Sequence, residues 1–391
     1  MSELLESRWT ETKDALLEGL DGNKKSVMAA TLENTRKYLS ESATAGATSA
    51  GNVATLNRVI LPVIRRVMPT VIANELVGVQ PMTGPVGQIH TLRVRYAEAF
   101  DSTSGTDTAA GEEALSPFKI AEGYSGAADD KAATTAALEG QAGRKLSIQI
   151  LKQTVEAKSR KLSARWTFEA AQDAQSMHGI DVEAEIMAAL AQEITAEIDQ
   201  EVLASLNSLA GNAAETYNQA AVSGTATFVG DEHAALAVQI NRVANLIAQR
   251  TRRGAGNYAV VSPFALTILQ SATTSAFART TEGTFEAPTN TKMVGTLNNA
   301  MKVYVNTYSA DSADVLVGYK GASESDAPAF YCPYIPLMSS GVVLDPATFE
   351  PTVSFMTRYG YVELSNTASS LGNAADYLGK VAINNANVSF S

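Results

Sequence analysis

The sequence predicts an α+β protein with two or three packed domains, and three observations support this. The chain has 391 residues, 45% of them hydrophobic, which is enough apolar material to build a sizeable core. Residues 181–209 contain no proline or glycine and show helical periodicity. Strand-like apolar runs interleave with helical patterns in the C-terminal part of the chain, at 257–263, 301–308 and 352–364.

Charge and cysteine content exclude several classes of protein. The formal net charge is -11, whereas a general nucleic-acid binder carries a basic surface. Cys332 is the only cysteine, so the chain cannot form an internal disulfide or a multi-cysteine metal site. No run approaches the roughly 20 apolar residues of a membrane span, and the acidic N-terminus lacks the apolar core of a signal peptide. We therefore expect a soluble protein of a reducing compartment.

Residues 1–52 are predicted to form an N-terminal arm. Apolar residues within 1–41 recur at the spacing of an amphipathic helix, and 42–52 is a linker of small residues. The next segment, 53–88, is apolar and leads into the main domains. Pro62 interrupts its helical pattern, so we expect two helical pieces or one kinked helix there.

Residues 89–166 have the pattern of a long β-hairpin arm. A strand at 89–99 is followed by a polar, low-complexity tip at 100–143, whose eight acidic residues and two lysines give a net charge of -6. The return strand, 144–166, carries seven basic residues and Glu156, a net charge of +6. An outgoing strand, a polar tip and a returning strand together describe a hairpin.

The pattern at 181–209 predicts one long helix. Asp181 can serve as its N-cap, and branched apolar residues recur at every fourth position. Four residues turn a helix by about 400°, so this apolar stripe drifts around the helix and does not form one straight seam. The helix, about 43 Å long, should therefore contact different neighbours along its length and act as a spine.

No group of residues has the spacing of a catalytic, cofactor-binding or metal site. Six carboxylates on the predicted spine helix are interpreted as a solvated acidic face, because no histidine follows any of them by three residues as di-metal helix bundles require. Cys332 lies in an apolar run and is expected to be a buried, unreactive thiol. We expect a protein that is not an enzyme and needs no cofactor.

Basic and acidic residues are concentrated in separate segments of the chain, and this pattern predicts contacts between those segments. Residues 167–209 hold nine acidic residues and no basic one, beside the basic return strand. Pairs within one subunit would be surface pairs worth less than about 1 kcal/mol each, whereas pairs between subunits would set register and orientation. The sequence leaves both alternatives open. The candidate inter-subunit contacts are Lys152, Lys158, Arg160, Lys161 and Arg165.

Three long segments together resemble the major capsid proteins of T-even-type tailed bacteriophages. They are 59–96, which begins VILPVIRRVMP, then 152–202, which begins KQTVEAKSRKLSARW, and parts of 315–360, including VLVGYKG and DPATFEPTVSFMTRYG. They occur in the family's order and, with the texture between them, cover most of residues 50–365. Matches of this length are far more specific than a short motif.

The resemblance implies the Hong Kong-97-type capsid fold, which has an N-terminal arm, an extended β-hairpin loop, a peripheral domain with a long spine helix, and an axial domain. A large insertion domain, common in the loop of T-even relatives, is doubtful because the tip at 100–143 is short and of low complexity. The implied segments are the arm 1–52, the lead-in to the peripheral domain 53–88, the hairpin loop 89–166, the peripheral domain 167–230 with the spine 181–209, the axial domain 231–345, and the return strands of the peripheral domain with the tail 346–391.

The resemblance also implies a candidate protease site in the arm. Family members commonly lose an N-terminal propeptide to a phage protease that cuts after Glu, with a hydrophobic residue two positions earlier. Leu39-Ser40-Glu41, followed by Ser42, is similar to that pattern, so cleavage between Glu41 and Ser42 would remove a propeptide spanning 1–41. A chance match in a polar linker is the alternative.

The function implied is that of a structural major capsid protein. It would self-assemble as hexamers into an icosahedral head shell enclosing double-stranded phage DNA, in the host cytoplasm during assembly and then in the virion. Its partners would be copies of itself, a vertex protein, a portal, an internal scaffold, a prohead protease and decoration proteins, with DNA nearby only non-specifically and no membrane. The alternatives are the pentameric vertex protein of the same phage type and an encapsulin-like compartment shell.

Overall fold

The structure is a computed structural model, and it confirms the α+β prediction. It describes residues 9, 13–14, 17, 22, 25–34, 72–99, 109–111, 114, 134–139, 145–178, 181–219, 229–272, 277–279, 292–298, 300–310, 314–324, 326–345, 347–348, 350–364 and 374–384. The predictions that concern Pro62 and the Glu41–Ser42 bond lie outside these residues, as does most of the tip at 100–143.

Helices and strands interleave along the described chain. The helices are α1 (Ala73–Leu76), α2 (Thr135–Leu138), α3 (Phe168–His178), α4 (Val182–Leu209), α5 (Val229–Thr251) and α6 (Pro263–Ser271), with a 3-10 turn at Ala374–Tyr377 and further helical residues at 25–34. The strands are β1 (Gly78–Val79), β2 (Val86–Tyr96), β3 (Leu146–Glu156), β4 (Lys158–Arg165), β5 (Glu215–Asn218), β6 (Tyr258–Val261), β7 (Phe277–Arg279), β8 (Lys292–Leu297), β9 (Met301–Val305), β10 (Val315–Gly318), β11 (Ala329–Ser339), β12 (Val343–Leu344), β13 (Pro351–Glu363) and β14 (Leu378–Asn384).

Helix α4 confirms the predicted spine within one residue of its start. Asp181 caps its N-terminus, because the Asp181 Oδ1 accepts hydrogen bonds from the backbone N–H groups of Glu183 at 3.1 Å and Ala184 at 3.4 Å. These N–H groups belong to the first turn, where no intrahelical carbonyl is available to them. The end of the helix matches the predicted boundary at 209.

The chain forms two compact units. The first consists of Met1–Gly87, Val155–Ala204 and Phe330–Val362, and the second of Gln88–Thr154, Ser205–Ala329 and Glu363–Ser391. The first unit contains the five-stranded sheet of β1, β11, β13, β12 and β4. The second contains the seven-stranded sheet, in the order β5-β14-β10-β6-β9-β8-β7.

The core of the first unit includes the alternate residues of β13. Val353, Phe355 and Tyr359 are buried, while Ser354 between them is exposed, as expected for a sheet with one covered face. Strand β4 pairs with β13 in antiparallel register from Thr352↔Arg165 to Tyr359↔Lys158.

The core of the second unit forms between helix α5 and the seven-stranded sheet. Ile240, Val243 and Ile247 recur at helical spacing on α5 and are fully buried. Glycine is required at Gly379 of β14, because a Cβ there would run into the side chain of Val243.

The predicted return strand 144–166 is divided in two. Strand β3 pairs with β2 in a two-stranded sheet, whereas β4 joins the five-stranded sheet, and Ala157 separates them. The Ala157 N–H donates to the Pro85 carbonyl at 2.8 Å. The ladder with β13 satisfies the backbone groups along one edge of β4, so β4 belongs to the five-stranded sheet and not to the two-stranded one.

The compact units divide the chain differently from the predicted segments. Strand β14 lies within 346–391, which the resemblance assigned to the peripheral domain, yet it pairs with β10 and β5 in the sheet of the second unit. Strand β11 lies within the predicted axial segment 231–345, yet it belongs to the five-stranded sheet of the first unit. The sheet that each of these strands joins is therefore set by pairing with residues distant in sequence.

Candidate assembly site

Arg160 of β4 is directed at the spine helix of the same chain. Its Nη2 lies 2.5 Å from Glu201 Oε2, and its Nη1 also contacts Glu197. Glu197 and Glu201 are four residues apart on α4, so they project from the same helix face. One guanidinium therefore bridges two carboxylates, a geometry that suits its planar array of donors.

Tyr359 of β13 completes this cluster. Arg160 Nε donates to the Tyr359 hydroxyl, which in turn donates to Glu201, and the Arg160 guanidinium carbon lies 5.7 Å from the ring centroid. Burial lowers the pKa of Arg160, but Tyr359 and Glu201 outweigh this and raise it above its ordinary value. Burial and the contact with Glu201 likewise raise the pKa of Tyr359. The cluster therefore ties β4 and β13 to the spine as a charged network.

The other predicted contact residues are exposed. Lys152 lies on β3, and Lys158 and Lys161 lie on β4; none of the three is in an ion pair with another described residue. Arg165 Nη1 lies 3.6 Å from Glu350 Oε2, but the Arg165 side chain is 71% exposed, so this pair contributes little. The structure thus separates Arg160, which is bound within its own chain, from three lysines that face solvent.

The hairpin also carries an apolar stripe that was not among the residues predicted from the sequence. Leu146, Ile148 and Ile150 of β3 are 53%, 68% and 66% exposed. Residues two apart on a strand share one face, so these side chains form a continuous row. The alternation is visible in the sequence LSIQI, but only the structure shows that nothing in the described chain covers this row.

Asp199 corrects the interpretation of the spine carboxylates as one solvated face. Its relative exposure is 2%, whereas Glu183, Glu185, Glu193, Glu197 and Glu201 are exposed. Asp199 Oδ1 accepts a hydrogen bond from the Ile72 N–H at 2.9 Å. Burial raises the pKa of Asp199 to about 7, although the hydrogen bond from Ile72 works in the opposite direction.

The remaining candidate groups have simple placements. Cys332 is buried, as predicted, and burial raises the pKa of its thiol to about 11. Within the described ranges, no three His, Cys, Asp or Glu side chains cluster closely enough to hold a metal ion. No helix in the described part of the chain has the length and apolar character needed to cross a membrane.

Comparison with known proteins provides the family. A family model described as "Major capsid protein Gp23" matches residues 53–383. The major capsid protein of Vibrio phage KVP40 is 30% identical over 417 residues, which cover 84% of this chain and 80% of that protein. The major capsid protein of Enterobacteria phage T4 is also 30% identical, covering 83% of this chain and 78% of that protein.

Solved phage structures are similar at lower identity. A chain from Microbacterium phage Oxtober96 has a TM-score of 0.46 and 12% identity, covering 80% of this chain and 90% of that chain. A chain from the capsid of Myoviridae Phage XM1 has a TM-score of 0.44 and 11% identity, covering 80% of this chain and 91% of that chain.

The family model and the capsid proteins of phages KVP40 and T4 define a class of protein, the structural proteins of the tailed-phage head. The chain belongs to the Gp23 major capsid protein family, which confirms the resemblance to capsid proteins of T-even-type phages. It is a structural protein of the virion, and its relatives are named for the shell and not for any reaction.

Proposed function

We propose that this capsid protein assembles mainly as hexamers into an icosahedral shell around double-stranded DNA, with each β2–β3 hairpin lying on a neighbouring copy. During assembly it would meet a vertex protein, a portal and an internal scaffold, and also a prohead protease and decoration proteins. The family supports the shell function. The observation that carries the hairpin contact is the exposed row of Leu146, Ile148 and Ile150.

A covering surface for this row follows from the physics of small sheets. Two strands alone are marginally stable in water, because they cannot bury an apolar face. The β2–β3 sheet has only two strands, yet one face presents three large aliphatic side chains. Burying each on a neighbouring copy would contribute roughly 1.5–3 kcal/mol, and a closed shell repeats every such contact.

Charge would orient the contact. Lys152 on β3 and both Lys158 and Lys161 on β4 are exposed cations, and in the shell they would meet carboxylates of another copy. Such pairs would select partner and register more than they would add affinity. Arg160 does not enter this proposal, since Glu197 and Glu201 of its own chain already occupy its guanidinium. The exposed carboxylates of the spine helix would face the genome and repel DNA during packaging.

A paired substitution tests the hairpin contact. Ile148→Ser with Ile150→Ser removes most of the apolar row while keeping the polar alternation of β3. The matched control is Val238→Ser on helix α5, because Val238 is 66% exposed, as is Ile150. Negative-stain electron microscopy of the purified chains, co-expressed with the phage scaffold where needed, should show rings or shells for the parent and control and only monomers for the double variant. Normal shells from the double variant would contradict the proposal.

Measurements on the same particles distinguish a hexamer-forming capsid protein from the alternative functions. Native mass spectrometry of released capsomers should give six copies, whereas five would indicate the vertex protein of this phage type. Nuclease-protected DNA inside mature heads is expected, and its absence would favour an encapsulin-like compartment. The intact mass of the particle subunit tests the arm, because loss of residues 1–41 would establish cleavage between Glu41 and Ser42.

A further inference from the structure

Asp199 is a buried carboxylate at the junction of three elements within the first unit. It lies on the spine helix, and its Oδ1 accepts a hydrogen bond from the N–H of Ile72, which directly precedes helix α1. The third element is strand β11, through Tyr331. Ile72 is itself 4% exposed, and the residues that follow it, Leu76 and Val77, are fully buried. The hydrogen bond therefore joins segment 72–79 to the middle of the spine in a space from which water is excluded.

No positive charge compensates Asp199 among the described residues. Tyr331 of strand β11 interacts electrostatically with Asp199. Burial, the largest cause, raises the pKa of Tyr331, and Tyr359 and Asp199 raise it further, so the Tyr331 hydroxyl is neutral near pH 7. Cys332, next to it, is also neutral there. Glu197 and Glu201 lie on the same helix as Asp199, but both are paired with Arg160. Helix α1 contributes a further carboxylate, Glu75. Helix α4, helix α1 and strand β11 carry no basic residue, so none of these three elements offers Asp199 a cation.

We propose that segment 72–79 docks on the spine helix more strongly when Asp199 is protonated, so that undocking in weakly acidic solution releases a proton. A neutral carboxyl group still accepts the Ile72 N–H through its carbonyl oxygen. An ionised one keeps that bond but remains a charge in an apolar space, where the Ile72 N–H is its one donor among the described residues. This inference concerns one folded chain and does not depend on hexamer formation.

The sign of the pH dependence follows from linkage. The docked-state pKa of Asp199 is raised to about 7, from an ordinary value of 3.8. Below the ordinary value both states are protonated, and docking is strongest. Between the two values only the undocked state is ionised, so the opening constant rises by up to tenfold per pH unit. Above about pH 7 both states are ionised, and the constant levels off.

Linkage also runs in the reverse direction. Any rearrangement of the first unit that admits water to Asp199 returns its pKa toward the ordinary range and expels the proton. Near neutral pH the group is half-ionised in the docked state, so modest changes in its burial alter its charge. Segment 72–79 and the spine helix thus form a contact that pH can strengthen or weaken.

Hydrogen exchange of the full-length chain tests the proposal. The peptide covering 72–79 is followed from pH 4.5 to 8.0, with rates corrected for intrinsic exchange. Relative to Asp199→Asn, which is neutral throughout and keeps an acceptor for Ile72, the parent should open about tenfold more per pH unit between 5 and 6.5 and level off above 7. The control Glu193→Gln, on an exposed residue of the same helix, should follow the parent. Parallel profiles for the parent and Asp199→Asn would overturn the proposal.

If Asp199→Asn fails to fold, infrared titration of the unmodified chain tests the proposal in its place. A carboxyl C=O band that disappears with an apparent pKa near 7 is expected from the buried acid. If every carboxyl group of the folded chain ionises below pH 6, the proposal is wrong.

Discussion

The guanidinium of Arg160 and the carboxylate of Glu201 form an ion pair inside one chain, with Nη2 and Oε2 2.5 Å apart. The pair joins strand β4 to the spine helix, and Glu197 and Tyr359 extend it. One cation of the basic run, Arg160, is therefore paired with spine carboxylates of its own subunit, while three lysines of the same run are exposed. We therefore expect Arg160 to affect the stability of the subunit, and we propose the three lysines for contacts between subunits.

Removing the Arg160 side chain should destabilise the first unit. Arg160→Ala leaves Glu197 and Glu201 facing each other and leaves Tyr359 without a donor, so we expect a loss of about 1–3 kcal/mol in the free energy of unfolding. Urea denaturation measures this. The control is Arg165→Ala, whose exposed pair should be worth less than about 1 kcal/mol. Equal losses for the two variants would contradict the role of the cluster.

Gly360 should tolerate no side chain. A Cβ at this position of β13 would run into the side chain of Val155 and would lie 3.2 Å from the Glu156 carbonyl oxygen. Because backbone cannot yield as a flexible side chain does, Gly360→Ala should cost about 1–3 kcal/mol. Gly84→Ala is the matched control, since the nearest atom to its added Cβ is 3.9 Å away. Thermal unfolding should show a lower midpoint for Gly360→Ala alone.

His233 should weaken the second unit in mild acid. Its ring is buried, Nδ1 contacts the Ser271 hydroxyl, and Nε2 is buried without a hydrogen-bond partner among the described residues. Burial lowers the pKa of His233, although Glu232 opposes this shift. The unfolded chain therefore binds a proton below about pH 6.5 while the folded chain does not, and stability falls by up to about 1.4 kcal/mol per pH unit until the lowered pKa is reached.

Urea unfolding at pH 7.5 and 5.5 measures this effect. His233→Gln should lose that part of the pH dependence, whereas His90→Gln, on an exposed residue of the hairpin, should keep it. The contribution of Asp199 has the opposite sign, because its folded pKa is raised and its stabilisation is greatest in acid. An unchanged pH profile in His233→Gln would show that His233 is not the titrating group.

Long elements with strong periodicity were predictable from the sequence. The spine helix has an uninterrupted helical pattern and a capping aspartate, and both features act within a few residues of chain. The predicted strand at 257–263 is found as β6, and helix α6 follows it, with the Ser262 side chain as its cap and Pro263 as its first residue. The family also followed from the sequence, because long similar segments in one order carry information that no single motif has.

The burial of Asp199 could not be predicted in the same way. Its neighbours on the spine include Glu197 and Glu201, which are exposed, and the sequence pattern does not distinguish the three carboxylates. What distinguishes them is segment 72–79, more than 120 residues earlier, which supplies the Ile72 N–H. Contacts between distant segments leave little trace in local periodicity.

By itself, the sequence determined the α+β class, the position of the spine, the basic run of the return strand and the family. Tertiary structure alone decided where that run divides and which way each cation points. Strand β4 pairs with β13 in one register, and side chains alternate across a strand, so Arg160 faces the spine and Lys161 faces away. A shift of one residue would exchange them, and only the packing of the sheet against the helix selects between the two registers.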